Sequence, residues 1–247
     1  MRVLLLFLVF TLAGFVLANA QSLSDDDQDF VRANTIFFIY HELGHALIDK
    51  LRLPVFGQEE DAADVLGIVL SETINSVDDN TWIAASAAEG FAIMAAIAEE
   101  EGYELAFWDL HGLDLQRYFT LICLHYGADP EGRQSLADDF GLPEDRQVTC
   151  GEEFALAEES WGPVIEEISG TSGSDWLKLV EKGAPETPVE EVVYSAVEEE
   201  VSILNEALSP DFRMDIIVTH CGEANAFYDP NRGEITICAE IGQLFIE

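Results

Sequence analysis

Phe37-Phe38-Ile39-Tyr40-His41-Glu42-Leu43-Gly44-His45-Ala46-Leu47-Ile48 is the stretch on which the reading of this 247-residue chain turns. Its centre is His-Glu-x-x-His inside a strongly apolar run. On a helix, residues four apart share a face, so His41 and His45 aim two imidazoles at one point. Glu42, about 100° further round, stands beside that point rather than on it. Two nitrogen donors with a neighbouring carboxylate to take a proton from water are the pattern of a zinc hydrolase. The competing reading is an amphipathic helix with two ordinary polar-face histidines. The chain has only 5 His, and imidazoles embedded in apolar sequence need partners that such a helix does not supply.

A zinc hydrolase takes three protein ligands and leaves one position open. Downstream runs Leu53-Pro54-Val55-Phe56-Gly57-Gln58-Glu59-Glu60-Asp61-Ala62-Ala63-Asp64. Pro54 and Gly57 stop the first helix and turn the chain, and a second helix begins near Glu59. Folded back as a hairpin, its first turns lie against the histidine pair. Helical phase favours Glu60 as the third ligand, with Glu59 as the alternative. Asp64, one turn after Glu60, is placed to orient a ligand histidine. The plain reading is that Glu59, Glu60 and Asp61 are first-turn acids complementing the helix dipole.

From Phe37 to Asp64 the chain resembles a family of exported bacterial proteins known as "putative metallopeptidases", a domain of unknown function within the zincin-like group. The resemblance rests on His41-Glu42-Leu43-Gly44-His45-Ala46-Leu47, Leu53-Pro54-Val55 and Gly57-x-Glu59-Glu60-Asp61-Ala62-Ala63-Asp64. It extends to Trp108-x-x-His111, to Gln116-Arg117-Tyr118 leading to Cys123 and Tyr126-Gly127, and to Cys221-Gly222-Glu223 through Asp229-Pro230. The family often carries Cys-Tyr-Glu where this chain has Cys238-Ala239-Glu240, so an aromatic is missing there. The resemblance implies a zincin-like α+β fold, zinc as cofactor and peptidase activity.

Met1 to Ala20 read as a secretory signal peptide: Arg2, an apolar core Val3 to Leu17, and the small-x-small exit Ala18-Asn19-Ala20. After cleavage no membrane anchor is expected, because Glu89 interrupts the next most apolar stretch, Trp82 to Ala98. The expected location is periplasmic or extracellular. The formal net charge is −37, which repels phosphate backbones and disfavours nucleic-acid partners. Acidic runs such as Glu198-Glu199-Glu200 read as a solubilising surface, though the charge also suits cationic substrates or a saline habitat. No signal for oligomeric state is legible.

Four cysteines, Cys123, Cys150, Cys221 and Cys238, in an exported chain suggest two disulfides. Three connectivities are open. Nearest-neighbour pairing, Cys123–Cys150 and Cys221–Cys238, is expected because each pair brackets a compact segment. Zinc binding by the four is disfavoured by the lack of Cys-x-x-Cys spacing.

The remaining chain fills in an α+β, zincin-like, mainly helical protein with a small antiparallel sheet near the C-terminus. Ser24 caps the first helix, Val77 to Asn80 form a loop, and Thr81 to Glu101 form an Ala-rich scaffold helix. Glu89 on it reads as a surface residue that could also face the site. His111, in the polar turn Asp109-Leu110-His111-Gly112, is the candidate to stabilise an oxyanion, with Arg117 second; a structural histidine is the alternative. His125 and Tyr126 read as structural. Short helices and loops occupy 129–161. A Ser/Gly/Thr loop, 169–175, divides a helical catalytic region, 21–168, from a C-terminal β-α-β-β region, 169–247, the whole forming one domain. There Trp176 to Val180, Met214 to Thr219 and Glu234 to Cys238 read as strands, the last two joined as a hairpin through Asp229 to Gly233. Asn225 and Tyr228 either line the cleft or hold that turn. The function expected is an exported zinc metallopeptidase acting on peptides or proteins through Glu42 and His111. The alternatives are a catalytically silent zincin-like metal-binding module with a protein partner, or a related zinc amidase.

Overall fold

The structure, a computed structural model, describes residues 23–170 and 175–246. The expected signal peptide and part of the 169–175 loop lie outside the described residues. Helix α1, Asp25–Leu51, runs through the middle of the fold. Ser24 and Asp27 form a capping box at its start, and Arg52, left-handed at φ 54°, ends it two residues before Pro54. Such a helix buries residues on every side, the apolar Ile36, Phe37, Ile39, Leu43 and Leu47 together with His41 and Glu42.

Around it pack α2, Glu59–Ile74, α3, Val77–Glu100, and α7, Pro188–Ala207. Outside α2 and α3 lie α4, Asp114–Ala128, the short α5, Gln134–Asp139, and α6, Glu144–Ile168. Two local expectations change. Val77 to Asn80 are the first turn of α3, because Ser76 accepts from the Asp79 N–H and starts the helix early. The stretch after Asp129 is dominated by one 25-residue helix, α6, which continues past Pro163. By length and composition α3 could also cross a bilayer, contrary to the sequence expectation; in this fold it packs against α1, α2 and α4 instead.

The sheet is mixed, not antiparallel as expected. Its strands are β1, Leu177–Lys182, β2, Met214–Thr219, β3, Ala226–Asp229, and β4, Glu234–Cys238, in the order β1-β2-β4-β3. β1–β2 and β2–β4 are parallel, with α7 linking the first pair, and only β3–β4 is antiparallel. The Asp229 to Gly233 turn therefore joins β3 to β4, not β2 to β4. After β2 the chain runs back as β3 one strand-width too far out, and β4 fills the gap. The apolar run Ile216-Ile217-Val218 and the buried Ile235, Thr236 and Ile237 suit strands buried on both faces. β3 is left as an edge against α1.

Both disulfides pair as expected. Cys123–Cys150 ties α4 to α6, and Cys221–Cys238 ties the end of β4 to the segment after β2. Two disulfides suit an oxidising compartment.

Tyr40 leaves the motif helix on the other side and donates to Glu200 of α7 at 2.8 Å, while Asn75 donates to the Tyr40 hydroxyl. Burial pushes the Glu200 carboxyl from 4.5 up to about 7. The folded protein thus holds a proton that the unfolded chain releases near pH 4.5. Stability from this group is full below that pH and is lost as pH rises through about 7. Glu200→Gln is expected to be more stable than wild type at pH 8.5, by on the order of 2 kcal/mol, and to show no gain at pH 3.5. Urea melts at the two pH values measure the difference; equal gains at both would refute it.

Candidate active site

Helix α2 reaches the histidines because the two helices touch at Gly44 and Ala63. A Cβ on Gly44 would sit 2.8 Å from the Ala63 Cα, closer than packed carbons approach. That contact sets Glu60, one turn before Ala63, over the His41–His45 face. Gly44→Ala is expected to push α2 away and weaken metal binding while the rest of the fold persists. Zinc titration followed by circular dichroism checks this; unchanged zinc affinity would show that the close approach is dispensable.

The three donor atoms form a nearly regular triangle. His41 Nε2 to His45 Nε2, His41 Nε2 to Glu60 Oε2, and His45 Nε2 to Glu60 Oε2 are each 3.2 Å. Ligands at the corners of a tetrahedron with these edges lie about 2 Å from its centre, the length of zinc–nitrogen and zinc–carboxylate bonds. The outer nitrogens tell the same story. His41 Nδ1 meets Asp64 Oδ1 at 2.8 Å and His45 Nδ1 meets Glu59 Oε1 at 2.9 Å. Carboxylates only accept, so each Nδ1 donates and each neutral ring turns an Nε2 lone pair inward. Two nitrogen lone pairs and a carboxylate oxygen then converge on one another. The cluster needs a cation or protons at its centre. Without a metal, burial pushes His41 down, but Asp64 and Glu60 outweigh it and lift it to about 9. Burial likewise raises the Glu60 carboxyl, and His111, His41 and His45 overcome it to hold Glu60 far below the usual range. A divalent ion would take over the charge those protons carry.

Glu59, the alternative third ligand, stands on the outer nitrogen of His45 and holds that ring rather than joining the triangle. Asp64, one turn after Glu60, lies against the outer nitrogen of His41. Arg117 departs from expectation: both its Nε and Nη2 donate to Asp64, each at 2.7 Å. Its guanidinium is committed behind His41 and is not free to meet an oxyanion. Burial raises Asp64, but Arg117 beside it wins and holds it at about 2, so the residue that orients His41 stays ionised. The guanidinium also lies 4.0 Å from the Phe91 ring centre. Sequence reasoning missed this pairing; its signal was a buried aspartate with no cation near it in sequence.

Glu42 is buried beside the triangle. Burial raises its carboxyl, opposed by His41 and His45 and by the Tyr228 backbone N–H, which donates to it. That contact follows from the strand. Asn225 and Asp229 turn their carbonyls to the Cys238 and Gly233 amides, so by alternation Tyr228 turns its N–H away from the sheet. The edge of β3 therefore forms one wall of a cleft of about 530 Å³ that contains all three donors, Glu42 and His111. The Tyr228 hydroxyl is committed elsewhere, donating to Asp49 at 2.7 Å. Asn225 also lines the cleft.

His111 stands at the cleft mouth. Its Nε2 is 3.0 Å from Glu60 Oε2 and its Nδ1 3.2 Å from Asp109 Oδ1. Glu60 before all else raises its pKa, against the lowering effect of burial. Glu89 lies away from the site, on a separate cleft with Tyr118 and Phe140. His125 is buried against Glu72 and Arg133, at 2.7 Å and 3.1 Å.

Over residues 4–165 the chain matches the family described as "Putative metallopeptidase", a domain of unknown function. The chain belongs to this family. No curated protein and no solved structure matches it. The matched region carries every side chain of the triangle, together with Glu42, Asp64, His111 and Arg117. It stops within α6, so the β3 edge that holds Glu42 comes from beyond it.

Proposed function

We propose that this protein is an exported zinc-dependent peptidase in which His41, His45 and Glu60 hold the metal and Glu42 is the general base. The observation that carries the reading is the 3.2 Å triangle of inward-turned donors with a buried carboxylate beside it. Bound zinc would supply Lewis-acid polarisation of the scissile carbonyl and a lowered pKa for water at its open position. Glu42 takes the proton from the attacking water and passes it to the leaving amine. The Tyr228 N–H fixes the carboxylate for both transfers. Asp64, anchored by Arg117, and Glu59 keep the two imidazoles in the tautomer that offers Nε2. His111, held to Glu60 at 3.0 Å on the cleft wall, turns its Nε2 from that carboxylate to stabilise the developing oxyanion. The edge of β3 aligns the substrate chain through its outward carbonyls, its two outward amides being held by Asn225 and Glu42.

Export is supported by the signal-like Met1 to Ala20 and by two disulfides. A silent metal-binding module would not need Glu42 oriented by a backbone amide, which weighs for catalysis. Metal analysis of the purified mature protein, followed by digestion of an unbiased peptide library with and without zinc, tests the proposal. Zinc bound at about one per chain with no hydrolysis of any peptide would shift the assignment to a binding module.

A further inference from the structure

The segment joining α3 to α4 is unusually apolar for an exposed connection. Tyr103, Leu105, Phe107, Trp108 and Leu110 are 68%, 59%, 77%, 79% and 74% exposed. Such a concentration of uncovered apolar surface marks a binding device rather than a spacer. Beside it lies a cavity of about 860 Å³. Phe38 of α1, Met94, Ala95 and Ala98 of α3, and Leu244 line its apolar side. The small side chains of Ala95 and Ala98 leave room that larger residues would fill.

This cavity is continuous with the reaction centre. His41, Glu42, His111, Asn225 and Ala226 line both it and the cleft of the donor triangle. Its charged lining is acidic: Glu99, Glu104, Asp109 and Asp114 join Glu42 there, and the one guanidinium, Arg117, is spent on Asp64.

We infer that the cavity is the specificity pocket of the proposed peptidase and takes a bulky apolar side chain adjoining the bond to be cut, with acidic substrate residues excluded. The inference rests on the peptidase reading and names its substrate class. A chain lying along β3 is delivered to Glu42, and the cavity opens beside Glu42, so a side chain next to the scissile bond is the group that enters. Exposed Tyr103 and Leu105, which line the cavity from the loop, cover the neighbouring residues of the same substrate. A lipid surface is the less favoured occupant of the loop, because a chain of net charge −37 is repelled by anionic headgroups.

Two arms test this. In the first, zinc-reconstituted wild type digests a peptide library; cleavage is expected beside Phe, Leu, Met or Trp at one fixed position and not beside Asp or Glu. Ala98→Phe, which fills the cavity from a partly exposed helix position, is expected to keep its zinc. It should lower kcat/KM for a Phe-containing peptide, relative to the matching Ala peptide, by about tenfold or more. In the second arm, zinc-loaded Glu42→Gln binds a fluorescein-labelled peptide with a central Phe more tightly than its central-Ala counterpart, by anisotropy. Ala98→Phe in that background removes the difference. Hydrolysis with no apolar preference, or a Phe preference untouched by Ala98→Phe, overturns the pocket and leaves the peptidase standing. Absent hydrolysis with selective Phe-peptide binding does the reverse. Sedimentation of wild type with phosphatidylcholine–phosphatidylglycerol vesicles, lost in Trp108→Ala, would reassign the loop to a bilayer and also overturn the inference.

Discussion

Glu42→Gln is expected to keep its zinc and its melting temperature while peptide hydrolysis falls by roughly 10²–10⁴-fold, or more. The expectation follows from what the carboxylate touches. It is buried, it is not a corner of the donor triangle, and one of its partners is the Tyr228 N–H. Glutamine keeps that hydrogen bond through its amide oxygen and fills the same volume, so neither the helix nor the histidines need move. It cannot accept a proton at a useful pKa. Steady-state kinetics on the best peptide from a library digest, set beside metal content and thermal melts, separate chemistry from folding. Near-full activity in Glu42→Gln would remove Glu42 as general base.

Loss of a triangle corner should act the opposite way, on the metal first. His41→Ala and His45→Ala each leave two donors where zinc sites use three, and zinc retention through dialysis is expected to fail. Glu60→Gln keeps an oxygen but loses the charge that balances the ion, so affinity should drop while the fold holds. Asp64→Asn is expected to be milder, about 10–100-fold in affinity, because it removes a hydrogen-bond acceptor from His41 rather than a ligand. Metal removal from wild type should lower the melting temperature, since zinc at a hundredfold excess over its dissociation constant adds about 2.7 kcal/mol to stability. Isothermal titration with zinc and chelator-dependent melts measure these effects. Unchanged zinc affinity in His41→Ala would dissolve the proposed centre.

The helical spacing of His41, Glu42 and His45 is a local property. Four residues make a turn whatever lies around them, so the two imidazoles share a face before any packing is considered. The same holds for Glu60 and Asp64, and for the Ser24 cap. The cysteine pairing was legible because each pair closes a short segment. Membership of the family, too, rests on the linear sequence.

Packing decided the rest. Whether Glu59 or Glu60 completes the triangle depends on the rotation of α2 against α1, which the Gly44–Ala63 contact sets across 19 residues of chain. The partner of Asp64 is Arg117, 53 residues away, and no spacing rule links them; burial of the aspartate demands a cation and only the fold says which. The sheet was misjudged because strand sequences carry a period but not a neighbour. Met214 to Thr219 and Glu234 to Cys238 look alike as members of an antiparallel or a parallel pair, and the crossing by β3 settles the matter. That crossing turns a Tyr228 backbone amide toward Glu42. A backbone amide has no residue type to read, so this part of the site could come only from the tertiary structure.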